Sequence, residues 1–417
     1  MSRVASAVAA GLACLVFLLC WSALHHGTPA RYQITDTGLY EEYGDAIAGG
    51  EVPYRDFRLE YPPGALPVFV LPSLGHEGDR DAYDRWFDRL MSLCGCIAIV
   101  AVAVGLRALG AGRARTAAAL GVVAVSPLLL GSVMLTRFDW WPAALAALAI
   151  AALLHERHAL SALALGAAIA AKLWPAVLAP VGLVFFWRTR GARAALEWAA
   201  VVVAADAAIF VPFAVASPGG LQHSFHAQLA RPLQIESLGG AVLIALHHVF
   251  GTSLDVVTTF GSQNVEGTGA RAAEIATTVA GVVALAGVWL VFARGEMTRA
   301  RLATYAAASV AVVLTFGKVF SPQFMIWLIP LVPLAPSVAA NVLLLAALGL
   351  TQTWFPRHYW SLADQLRPRE SWLLLARDLC VAALAAVLVR PRRSKHEPLG
   401  EGRARLEALQ RVRAQVE

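Results

Sequence analysis

The feature that most constrains this chain is a series of apolar blocks, each roughly 15–23 residues long, separated by short polar or proline-bearing breaks. At about 1.5 Å of helical rise per residue, a block near 20 residues matches a hydrocarbon layer of roughly 30 Å. The apolar residues fill the blocks instead of lining one face of each. Composition agrees: 58% of the 417 residues are hydrophobic and 15% are charged, with mean hydropathy +0.61. A soluble domain is usually about 25% charged. The expected fold is an all-α polytopic membrane protein, and a large soluble core is excluded.

Candidate spans are 4–24, 86–106, 116–135, 139–154, 159–171, 173–187, 194–216, 271–293, 302–317, 322–335, 338–353 and 371–389. About twelve passages put both termini on one side. The N-terminal run is longer than a signal core and no A-x-A site follows it, so it reads as an uncleaved anchor. The clusters Arg107/Arg113/Arg115, Arg188/Arg190/Arg193 and Arg294/Arg299/Arg301 then share the inner side with the tail, as the positive-inside rule requires. Fusing 159–187 into one helix would separate them, so the charges favour a tight reversal at Lys172. The formal net charge of +6 follows from these loops and is no nucleic-acid signal. All five cysteines lie in apolar blocks and read as packing residues. Segments such as 159–171 and 322–335 are too short to cross unaided, which points to helices that stop inside the protein beside a cavity.

The expected organisation is a single membrane domain, 1–390, with outer loops at 25–85 and 217–270 and a basic cytoplasmic tail at 391–417. The end of the tail reads either as a helix lying on the inner surface, through Leu406, Leu409 and Val412, or as a solvated segment.

Polar chemistry collects at the other face. Asp36, Arg137, Asp139, Lys172, Lys318, Gln323, Arg357 and His358 all fall at or near outer turns. Ionisable groups are costly near lipid, so each needs a reason. An outer lysine or arginine can serve as an interfacial anchor. Asp36 and Asp139 both precede helical patterns and read as possible N-caps. Asp206 is the one acid near mid-span, with no partner identifiable from sequence. The first outer loop is the densest feature: ITDTGLYEEYGDAIAGGEVPYRDFRLEYPPG, a short helix ending at Gly49-Gly50, followed by turns. GALPVFVLPSL, which follows it, is apolar but too short to span and suits a re-entrant segment.

The run Asp36-x3-Tyr40, GGEVPYRDF and EYPPG, placed directly after a first span, resembles glycosyltransferase family 87. RFDWWPAAL, AAKLWPAVLAP and KVFSPQFMIWLIPL are similar to later signatures of that family, and the likeness runs in order from about residue 30 to 335. The resemblance implies a GT-C-type helical bundle with its active site in the large first extracytoplasmic loop. It implies a polyprenyl-phosphate-linked donor, mannose in the first instance, and an α-linked product on an extracytoplasmic glycolipid or glycan. The family's catalytic aspartate aligns with Asp36.

Elementary chemistry agrees. A lipid-phosphate sugar carries its own leaving group, so inverting transfer needs one base and cations on the departing phosphate. It does not need the carboxylate pair of a glycoside hydrolase. Lysine and arginine can neutralise one phosphate, so neither a metal nor another cofactor is expected. Lys172, Lys318 and Arg357 are expected to converge as an anion pocket, with Arg137, Asp139, Gln323 and His358 beside them. Tyr40 is expected to wall off bulk water, and Glu60 and Tyr61 to shape the acceptor side. Asp45 and Asp56 are the local rivals of Asp36. A transporter or flippase is the competing class; it would place its binding groups near midplane, where only Asp206 lies.

Overall fold

The computed structural model describes residues 2–390. The tail expected at 391–417 lies outside the described residues.

The described chain is helical nearly throughout. The helices are α1 (Arg3–Ala23), α2 (Gly27–Arg31), α3 (Thr37–Ala48), α4 (Leu66–Ser73), α5 (Arg80–Ala108), α6 (Arg113–Leu130), α7 (Trp140–Leu154), α8 (His158–Ala171), α9 (Ala179–Arg190), α10 (Ala192–Ala216), α11 (Pro218–Leu229), α12 (Leu238–Phe250), α13 (Ala270–Arg294), α14 (Arg299–Phe316), α15 (Val338–Trp354), α16 (Tyr359–Ala363) and α17 (Pro368–Val389). One antiparallel hairpin, β1 (Leu254–Thr259) with β2 (Ser262–Gly267), interrupts them. Its two-residue turn has Phe260 at φ 53° and Gly261 at φ 64°, the left-handed pair that such a tight hairpin requires. The helices α1, α5, α10, α13 and α17, and α6 extended to Met134, are long and apolar enough to cross a membrane. The chain is an all-α polytopic membrane protein.

The reversal at Lys172 is present. Helix α8 stops at Ala171, and Lys172 is extended, at φ −163° and ψ 140°. Glu156, just before α8, accepts hydrogen bonds from Arg190 at the end of α9 and from Arg299 at the start of α14, both at 2.6 Å. The chain therefore returns to the level it left. Arg188 donates to the carbonyl of Ala293, and Arg301 to that of Val291, so the basic clusters meet at one end of the bundle.

Three expectations need correction. The segment 322–335 is not an α-helix but two 3₁₀ turns, Pro322–Trp327 and Val332–Leu334. Pro322, Pro330, Pro333 and Pro336 lack the N–H groups that an α-helix would use. Helix α5 starts at Arg80, earlier than expected, because Asp79 caps it by accepting from the Ala82 N–H at 3.0 Å. The stretch 217–270, read only as a loop, folds into α11, α12 and the hairpin, with α12 packed on α17.

One close approach places much of the site. A Cβ added to Gly64 would lie 2.4 Å from the Ala170 carbonyl carbon and 2.5 Å from the Ala171 nitrogen. The Pro62-Pro63-Gly64 turn therefore rests its backbone on the last turn of α8, and Trp141 Nε1 donates to the Gly64 carbonyl at 2.9 Å. Tyr61, Lys172 and the start of α7 are fixed together by this contact.

Candidate active site

At the end of the bundle opposite the basic clusters, the termini of α7 and α8, the start of α3, the turn before α4 and the 230–237 segment enclose a cavity of about 510 Å³. Asp36 stands at the head of α3, but its side chain caps nothing. Thr35 Oγ1 does that work, accepting from the Thr37 N–H at 3.0 Å. The Asp36 carboxylate turns into the cavity instead. Its Oδ2 pairs with the Arg137 guanidinium and accepts from the Tyr40 hydroxyl at 3.5 Å. Among the described residues, Oδ1 has no protein hydrogen bond, and the side chain is 33% exposed.

Asp139 repeats the pattern at the head of α7. It too makes no capping bond. Its Oδ1 accepts from Lys172 Nζ at 2.7 Å and from Trp327 Nε1 at 2.6 Å. Asp139 is buried, and the Lys172 ammonium sits against the faces of Phe138, Phe324 and Trp327 at 4.7, 5.0 and 5.4 Å. Aromatic faces stabilise a cation held away from water. The N-cap reading of both acids is thus right in position and wrong in bonding. A side-chain partner about a hundred residues away outcompetes the cap for Asp36, and partners on two other segments do so for Asp139.

Arg137 is also buried; its Nη2 donates to the Ile34 carbonyl at 3.2 Å. Burial pushes the guanidinium down to about 10, opposed by Asp139, so it stays charged at neutral pH. Tyr40 stacks on Phe69 at 4.5 Å, and Tyr61 meets Phe138 edge-on at 5.1 Å. Tyr40, Tyr61 and Phe138 line the same cavity with Glu60 and Gln323.

Lys318, Arg357 and His358 do not line it. Lys318 Nζ donates to the Leu229 carbonyl at 2.9 Å and reaches Glu274 at 3.5 Å. Arg357 lies over the Tyr32 ring at 5.3 Å, and with His358 and Arg369 it faces a separate depression. The expected convergence of Lys172, Lys318 and Arg357 is therefore absent. The cations on the cavity wall are Arg137, Lys172 and Arg231. The rival acids are occupied elsewhere: Asp45 accepts from the Gly78 N–H at 2.9 Å, and Asp56 from the Val52 N–H at 2.8 Å and from Arg55.

Arg231, Gln234, Glu236 and Tyr359 line the cavity without having been anticipated. The backbone carbonyl of Glu236 accepts from Arg377 at 2.7 Å. Burial raises its carboxyl to about 7, against the opposing effects of Arg377, Tyr359 and Arg231. The available signal was Ser237 followed by an apolar run: Ser237 caps α12, accepting from the Gly240 N–H at 3.1 Å, which places Glu236 just outside a helix start. Asp206, on α10, is half-buried beside the α8 crossing at Gly166, and among the described residues its Oδ1 has no hydrogen bond.

The model of glycosyltransferase family 87 matches residues 59–322. This chain belongs to glycosyltransferase family 87. No curated protein matches it. As a family 87 member it is a membrane glycosyltransferase, which decides against the transporter reading. The matched stretch takes in Glu60, Arg137, Asp139 and Lys172; it begins beyond Asp36 and ends before Gln323.

Proposed function

We propose that this family 87 chain transfers a sugar, mannose, from a polyprenyl-phosphate donor to a hydroxyl of an extracytoplasmic glycolipid or glycan, with inversion. One observation carries the reading. Asp36 turns its carboxylate away from the helix it begins and into a cavity that also holds the Lys172 ammonium.

The chemistry runs as a single displacement. The acceptor hydroxyl gives its proton to Asp36 Oδ1 as its oxygen bonds to the anomeric carbon. The bond from that carbon to the phosphate oxygen breaks, and the electron pair leaves with the lipid phosphate. Arg137 orients the base through Oδ2. Lys172 spends one of its three N–H donors on Asp139, leaving two for the phosphate. Arg231 adds a second charge on the same wall. Charge-assisted donors aimed at a departing anion lower the barrier because they are in place before the charge develops. Glu60 and Tyr61, on the cavity wall, would hold the acceptor. These protein cations supply the neutralisation that the transfer requires, so the reaction proceeds without a metal.

The described domain, 2–390, acts as one integral membrane unit. The basic end of the bundle faces the cytoplasm with both chain ends, and the cavity faces out. The test is purified chain offered radiolabelled polyprenyl-phosphate mannose, polyprenyl-phosphate glucose and GDP-mannose in turn, with alkyl α-mannosides as acceptors. Transfer from the polyprenyl-phosphate mannose alone is expected. Transfer from GDP-mannose in its place would overturn the donor class, and transfer from the glucosyl lipid alone would change the sugar.

A further inference from the structure

A second cavity, of about 490 Å³, lies against the first and shares Leu39, Glu60 and Ser224 with it. It falls in the range of about 300–1,000 Å³ that ligand pockets occupy. It is built from one side of α3, the 57–60 segment and α11. Its wall includes Tyr43 and Phe57, whose rings stack at 5.8 Å with 21° between their planes. Glu42, Arg58, Glu60 and His223 surround them.

Among the described residues, these four side chains make no ion pair or side-chain hydrogen bond. Their neighbours on the same segment do. Glu41 accepts from Arg80 at 3.0 Å, Asp45 from the Gly78 N–H, and Asp56 from Arg55 at 2.8 Å. The polar groups that ring the second cavity are thus left open, while acids one to three residues away are consumed by the fold.

The charge of this ring excludes a phosphate. Two carboxylates stand against one guanidinium and one imidazole, whereas Arg137, Lys172 and Arg231 line the first cavity and not the second. What fits is a neutral polyol with an apolar face. Aromatic faces offer weakly polar surface to C–H groups, and ionised carboxylates and guanidinium accept from and donate to hydroxyls. Glu60, common to both cavities, sits at the junction.

We propose that the second cavity is an acceptor subsite that binds the next sugar ring of a saccharide acceptor, so that the enzyme prefers an acceptor of at least two linked sugars. The inference rests on the glycosyl-transfer reading. It assigns Glu42, Phe57 and Arg58 to recognition of the acceptor and not to the chemical step.

The test is binding of octyl mono-, di- and trisaccharide glycosides, in a panel of mannosides, glucosides and galactosides, to the full-length chain in detergent, by saturation-transfer NMR and titration calorimetry. The best disaccharide is expected to bind about 10-fold tighter than its own monosaccharide, the worth of roughly one charge-assisted hydrogen bond. Glu42→Gln and Arg58→Gln, both at exposed positions, should each remove most of that gain and leave monosaccharide binding unchanged. Phe57→Ala should do the same, with melting temperature as its control for the lost Tyr43 contact. Equal affinity for mono- and disaccharides in the unaltered chain would overturn the subsite and leave the transferase reading standing. So would variants that weaken both ligands alike. Failure of every glycoside to bind the unaltered chain would overturn both.

Discussion

Asp36 and Asp139 each stand one residue before a helix, and neither caps it. At the residue scale this is the most informative fact about the site. A cap is a local bond, worth about 1 kcal/mol. An acid that forgoes it for a buried cation is held by tertiary structure, and breaking a buried ion pair costs about 3–5 kcal/mol. The same comparison sorts the lysines and arginines. Lys172→Met should raise the KM for the lipid-phosphate donor about 10–100-fold, the loss of one charge-assisted contact to phosphate. Lys318→Met and Arg357→Ala should leave it within about twofold, because both side chains lie off the cavity, so only the contacts they already make are lost. Steady-state kinetics on the three proteins decides this. Equal losses in all three would restore the convergence that the sequence suggested.

Glu236 adds a pH dependence to the same wall. Burial raises its carboxyl to about 7, so below that pH it holds a proton and above it becomes an anion beside the phosphate site. Donor KM should therefore rise as pH passes upward through about 7, and Glu236→Gln should flatten that limb. The stability sign is the same. An unfolded glutamate, at 4.5, releases a proton that the folded chain keeps, so the contribution of Glu236 to stability falls as pH rises from 4.5 to about 7. Melting temperatures of both proteins across that window check it; parallel curves would contradict it.

At the scale of elements, the breaks matter more than the spans. Helix α8 ends one residue before Lys172, the 322–335 segment turns on three prolines, and Gly64 brings a Pro-Pro turn onto α8. These interruptions carry Lys172, Gln323 and Tyr61 to one cavity. Gly64→Ala would drive its Cβ into the Ala170–Ala171 backbone and should destabilise by about 1–3 kcal/mol, the usual range for overpacking. It should also lower transfer by displacing Tyr61 from Lys172. Thermal unfolding in detergent with a parallel activity assay checks both, and an unchanged melting temperature would show that the turn is looser than the contact implies. The spans and the break at Lys172 were legible in the sequence because length, hydropathy and loop charge are local quantities. The Asp36–Arg137 and Asp139–Lys172 pairs were not, since a helix-start aspartate looks the same whether it caps or reaches across the bundle. Helix α12 and Glu236 were missed because a 13-residue helix inside a long polar stretch falls below the length that marks a span.

At the scale of the molecule, the chain sorts its charge between two ends. Arg188, Arg190, Arg299 and Arg301 gather at one, tied through Glu156 and backbone carbonyls. Asp36, Arg137, Asp139, Lys172, Arg231 and Glu236 gather at the other, around the cavity. The family match covers most of that second set but begins beyond Asp36, which is joined to it by the ion pair with Arg137. Whether this residue, outside the matched stretch, performs the proton transfer is therefore decisive. Asp36→Asn keeps the size of the side chain and its approach to Arg137, removes no cap, and cannot take the acceptor's proton. The decisive measurement is the turnover of purified, correctly inserted Asp36→Asn with saturating donor and acceptor, alongside its melting temperature. The protein is expected to fold, with a melting temperature lowered by loss of the ion pair with Arg137, and to turn over at least about 100-fold more slowly. Near-normal turnover would contradict this and place the base elsewhere on the cavity wall.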